Sequence, residues 1–180
     1  YIDADPDDLK GFAVHYPDTA LTDDQKRQLD IILDLESQKE GLSVELNFVG
    51  LDSLQSLMAE SYLGEGFLAG SKKDSIEDRQ AFEKYVYKQV GSDSLGLNKA
   101  LRQVAANQGL DVQAEEYIST MIAQVDSYLK GKQPATGIVV QKAKVSDKDN
   151  VESPPEFKAL YTLKDSDGED APQPAPSDDP

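Results

Sequence analysis

An α+β domain is predicted, with a helical layer of four to five amphipathic helices packed on a small, mostly antiparallel sheet of about four strands. Segments near both ends of the chain alternate apolar and polar residues with the period of a strand, whereas Leu51 to Gly131 keeps the period of a helix throughout. Strands and helices therefore fall in blocks. Blocks, unlike strict alternation, point to α+β architecture.

The strongest single signal is the stretch from Asp111 to Gly131. Its apolar residues Ala114, Tyr117, Ile118, Met121, Ile122, Val125, Tyr128 and Leu129 recur at steps of three, one, three, one, three, three and one, which makes one buried helical face. Asp111 stands where an N-cap is expected, Glu115 and Glu116 complement the positive end of the helix dipole, and Lys130, Gly131 and Lys132 mark the close.

The rest follows in chain order. Residues 1–9 read as an acidic lead-in. Asp3, Asp5 and Asp7 alternate as at the start of a calcium loop, but Pro6 and Asp8 intrude, the turn glycine is missing, and Val14 stands where a bidentate Glu is needed. A solvated acidic segment is the better reading. Lys10 to Tyr16 alternates as a short strand ended by Pro17 and Asp18. His15, the only histidine, lies on that strand's second face and reads as structural or exposed.

Thr22 and Gln25 form a capping box that opens a helix carrying Leu29, Ile31, Ile32, Leu33 and Leu35, with Gly41 as its stop. Leu42, Val44, Leu46 and Phe48 then alternate with polar residues, which fits a sheet open to water on one face. Asp52 is expected to cap a helix bearing Leu54, Leu57, Met58 and Tyr62, and Asp74 with Glu77 another bearing Phe82, Tyr85 and Val86. Asp93 precedes a third, with Leu97, Leu101, Val104 and Ala105 inward and Gly109 as its stop, so that it and the helix after it form a tight hairpin. Spacings of 22, 19 and 18 residues between these caps exclude a fixed repeat.

Gly64 to Gly70, GEGFLAG, resembles a nucleotide loop only in composition. No strand precedes it and its third glycine is one residue late, so a flexible connection between helices is expected. Near the C-terminus, TGIVVQKAKV and EFKALYTL read as an antiparallel hairpin. Val139, Gln141, Ala143 and Val145 share one face of its first strand, and Ile138, Val140, Lys142 and Lys144 the other. Phe157, Ala159, Tyr161 and Leu163 point inward from the second, and the lysines suit an edge. Residues 165–180 hold no apolar residue beyond alanine and proline and read as a disordered acidic, proline-rich tail or linker. The organisation expected is thus a lead-in over 1–9, one α+β domain over 10–164 and a tail over 165–180.

Formal net charge is -16, but residues 1–24, with seven acids and one lysine, and residues 165–180, with six acids and no base, carry most of it. No basic surface is left to neutralise nucleic acid or an anionic membrane, so neither is expected as a partner. No stretch of the sequence is long and apolar enough to span a bilayer. Tyr1 in place of an initiator methionine reads as a processed or excised chain.

With no cysteine and one histidine, thiolate sites, histidine metal pairs and the usual nucleophilic triads are excluded, and no cofactor motif is present. No catalytic, cofactor-binding or metal residue is nominated. Tyr16, Tyr62, Tyr85, Tyr117, Tyr128 and Tyr161 fall on apolar faces and read as core, while Tyr87 lies off its stripe and is available to a partner. The expected function is a non-enzymatic protein-interaction or structural assembly domain, part of a larger complex, with a protein partner or self-assembly. Two alternatives stand beside it: an enzyme using scattered carboxylates, and an acidic mimic that inhibits a nucleic-acid-binding protein. Charge confined to the two ends speaks against the mimic, which needs spaced acids on a rigid face.

Overall fold

The computed structural model describes residues 5–71, 73, 75–144, 148–164 and 170–171. Pro6–Leu9 makes one 3-10 turn, capped by Asp5, whose carboxylate accepts from the amide of Asp7. The first strand, β1 (Gly11–Ala13), is shorter than the alternation suggested, because the chain turns back where the amide of Asp18 donates to the carbonyl of His15. Helix α1 (Asp23–Gln38) opens on the expected box: Gln25 N donates to Thr22 Oγ1 at 3.1 Å and Thr22 N to Gln25 Oε1 at 2.9 Å. Gly41, at φ 81, then supplies the left-handed turn into β2 (Leu42–Val49).

Four long helices follow: α2 (Leu51–Ser71), α3 (Arg79–Val90), α4 (Leu97–Asn107) and α5 (Leu110–Lys132). The chain closes with β3 (Val139–Lys142), a single helical turn α6 (Asp149–Glu152), β4 (Glu156–Lys164) and the two-residue β5 (Asp170–Ala171). The fold is α+β, with five long helices and a mixed sheet.

The chain groups into two compact units. The first takes the described residues of 1–49, 118–145 and 155–180, and the second those of 50–117 and 146–154.

In the first unit the sheet runs β1-β4-β2-β3, with β5 on the far end of β4. All pairs are antiparallel except β2 with β3. The expected hairpin of the last two long strands does not form, since β2 lies between them. That order puts the most apolar strand, with Val44, Leu46, Phe48 and Val49 all buried, at the centre, and leaves the lysine-bearing β3 on the edge. Phe12, Phe157 and Phe48 stand in one cross-strand row, their rings 5.4 and 5.3 Å apart, on the face toward α1. Leu29, Ile32 and Leu33 of α1 are buried, as are Ile118, Met121, Val125 and Leu129 of α5. Tyr128 ties the two helices by donating to Asp30 at 2.8 Å. The other sheet face carries Ser43, Glu45, Asn47, Gln141 and Lys158 and is open to water, as the alternation in β2 requires.

In the second unit α4 packs on α2 and α3. The expected break at Gly64–Gly70 is absent, because α2 runs through it to Ser71. Gly66 is small for a reason of packing: a Cβ there would stand 2.8 Å from the Tyr85 hydroxyl oxygen. Helix α3 is capped by Asp78, which accepts from Ala81 N, and not by the expected pair, of which Asp74 lies outside the described residues. Gly96 and not Asp93 precedes α4, and Asp52 lies inside the first turn of α2, where it meets Arg102 at 2.7 Å. Helix α5 likewise starts one residue before Asp111, so that aspartate serves the first turn and is not the cap. None of the described helices is long and apolar enough to cross a membrane.

Candidate functional site

Beside the edge strand β1, within the first unit, lies an open cleft of about 670 Å³. It is lined by Lys10 to Ala13 and His15, by Thr22, Asp24, Gln25 and Gln28 from the first turns of α1, and by Glu156 to Ala159 of β4. The wall made by β1 stands where it does because the 3-10 turn before it is held from three sides. Arg27 forks onto Asp8 with two contacts of 3.1 Å, Tyr161 donates to the carbonyl of Leu9 at 2.6 Å, and Asp5 caps the turn. Gly11 is obligatory, since a Cβ at its φ of 118 would fall 1.8 Å from the Phe157 carbonyl oxygen.

Charges around the cleft are held in ion pairs, four acids against three cations. Lys10 meets Asp7 at 3.0 Å, Lys158 meets Glu156 at 3.8 Å, and Arg27 meets both Asp8 and Asp24. Hydrogen bonding to the Arg27 guanidinium is the main force holding the Asp8 carboxyl below its usual range, and Asp8 and Asp24 together push Arg27 upward. Burial pushes the Tyr161 hydroxyl up to about 12.

The main chain of β1 is divided by pairing. Ala159 N donates inward to Lys10 O at 2.9 Å and Val14 N to Pro155 O at 3.0 Å, with Phe12 opposite Phe157 between them. In a trans peptide the N–H and C=O point opposite ways, so the N–H and C=O of both Gly11 and Ala13 face away from β4, into the cleft. Gln25 occupies one of these groups, its buried amide donating to Ala13 O at 2.8 Å.

His15 is the one residue weighed for chemistry in the sequence that lines this cleft, where its side chain is exposed. Asp5 and Asp7 serve the 3-10 turn, and Asp3 lies outside the described residues. Among the described residues, no group of three or more histidines and carboxylates could hold a metal ion. Tyr87 is half-buried on α3, and Tyr62, expected in the core, is 46% exposed with its hydroxyl on Gln108. The sequence shows Gln25 as a cap but not its second task, and it cannot show a wall made of main chain, because outward amides leave no trace in residue identity. No known protein family, characterised protein or solved structure matches the chain.

Proposed function

We propose that the chain is a non-enzymatic interaction domain, a component of a larger protein assembly, and that it holds its partner at the cleft beside β1. The observation that supports this reading is the kind of group the cleft offers. Its charged side chains are held in ion pairs, and the remainder is outward main chain, the Thr22 hydroxyl and the exposed Ala13. Such a mixture suits the main chain of another polypeptide, whose hydrogen bonds fix register.

Gln28→Trp fills the cleft from the α1 side without touching the buried stripe of Leu29, Ile32 and Leu33. The full chain and this variant are immobilised and exposed to an extract of the source cell at physiological and at high salt. Proteins retained at both salts by the wild type and lost by Gln28→Trp, with the melting temperature unchanged, support the reading. An identical retained set for the two chains overturns it, and a set released by salt alone favours the acidic mimic.

A further inference from the structure

We infer that what enters the cleft is an extended, neutral or basic segment of the partner, which adds to the sheet as a strand along the free edge of β1. This rests on the interaction reading above and names the mode of that interaction. Three main-chain groups carry it: the N–H and C=O of Gly11 and the N–H of Ala13. All three face the cleft, and none has a partner among the described residues. An antiparallel strand placed there exchanges both bonds with Gly11 through one of its residues. The residue two positions before that one accepts from Ala13 N–H.

The register is bounded on one side. Ala13 O is already taken by the Gln25 amide, which is held in turn by Thr22, so a docked strand stops at Ala13 and runs back past Gly11 toward Lys10. β1 is very short, which limits pairing to these few bonds and protects the free chain from edge-to-edge association. With so few main-chain bonds, affinity depends also on side chains of the incoming segment that reach the half-buried Glu156 and Lys158. A second copy of this chain is a poor occupant, since both copies carry a net charge of -16. A neutral or basic segment meets no such repulsion.

The test uses a decapeptide selected from a random displayed library on the full chain, together with synthetic copies N-methylated at alternate backbone amides. Two sets of methylation are made, offset by one residue. Strand addition expects one set to abolish binding and the other to leave it, because only alternate amides of a strand face its neighbour. It also expects Ala13→Pro to weaken the unmodified peptide by about tenfold, the loss of one outward hydrogen bond, while inward pairing and melting temperature are kept. Hydrogen exchange on the wild-type chain gives a reading independent of that variant: the Gly11 and Ala13 amides should gain protection when the peptide binds.

Failure to select any peptide, binding indifferent to both methylation sets, or protection that misses Gly11 and Ala13 overturns strand addition. A cellular partner lost by Gln28→Trp but kept by Ala13→Pro leaves the interaction reading standing without this mode. A partner kept by both variants removes the interaction reading itself.

Discussion

The hydroxyl of Tyr161, on β4, donates to the main-chain carbonyl of Leu9 across 2.6 Å, and so ties the last long strand to the turn that precedes the first. Burial raises this phenol from its ordinary 10.0 to about 12, so the neutral form is the one the fold favours. A folded value above the unfolded one gives stability that is whole below pH 10.0 and is lost as pH climbs through 12. Tyr161→Phe should cost about 1 kcal/mol at neutral pH through the lost bond. It should also shrink the loss of stability between pH 10.0 and 12, leaving the part due to Tyr128, which burial and Asp30 raise to about 12 as well. Thermal melts at pH 8 and pH 11 measure both effects. An unchanged alkaline loss in the variant would show that Tyr161 does not carry it.

The same bond changes what trimming the acidic start should do. On composition alone, residues 1–9 look dispensable, and a chain of residues 10–164 is expected to melt as the full protein does. The structure makes the turn at Pro6–Leu9 part of the first unit, with Asp8 on Arg27 and Leu9 on Tyr161. A chain starting at residue 5 should therefore match the full chain, whereas one starting at residue 10 should melt several degrees lower. Equal melting temperatures for the two would return the turn to the role of a solvated flank.

For the long helix α5 the sequence and the structure agree on the stripe, but not all of its residues are equally buried. Ala114, Tyr117, Ile118, Met121, Val125 and Leu129 are buried, while Ile122 sits at the margin and is only partly covered. Val125→Asp should cost several kcal/mol, on the order of the whole margin of stability, because it buries a carboxylate in the middle of the stripe. Ile122→Asp should cost less, and Gln124→Asp, on the wet face, close to nothing. Denaturant melts rank the three. Ile122→Asp proving worse than Val125→Asp would show that the helix is rotated from the orientation described.

What could be read from residues alone was whatever depends on near neighbours. The Thr22 and Gln25 box is settled within four residues, and the alternation through Leu46 and Phe48 within eight, and both stand as expected. Errors arose where a distant partner decides. β4 pairs with β2 across more than a hundred residues in preference to the nearby β3, because that choice centres Val44, Leu46 and Phe48. The cleft was invisible for the same reason: its wall is the unpaired side of β1, and which side is unpaired depends on β4.

Gly66 is the sharpest case of a local rule overruled at a distance, and it can be tested as a pair with Tyr85. Glycine inside a helix costs about 0.5–1 kcal/mol relative to alanine, so by propensity alone Gly66→Ala should stabilise α2. Its Cβ would stand 2.8 Å from the Tyr85 hydroxyl oxygen but 3.9 Å from the ring carbon that bears it, so the clash belongs to the hydroxyl. Displacing a ring packed 5.5 Å from Phe67 carries a cost like that of overfilling a core, about 1–3 kcal/mol, which exceeds the gain. Gly66→Ala alone should therefore lower the melting temperature, and Gly70→Ala, with nothing within 4 Å, should raise it slightly. In a Tyr85→Phe background the hydroxyl is gone and the sign should reverse, with Gly66→Ala now stabilising by up to about 1 kcal/mol. The double-mutant cycle gives a coupling energy between positions 66 and 85 that a pure helix-propensity effect cannot produce. A coupling of zero would mean that α2 and α3 do not meet at Gly66 and Tyr85, and that the glycine-rich stretch has some other reason to be there.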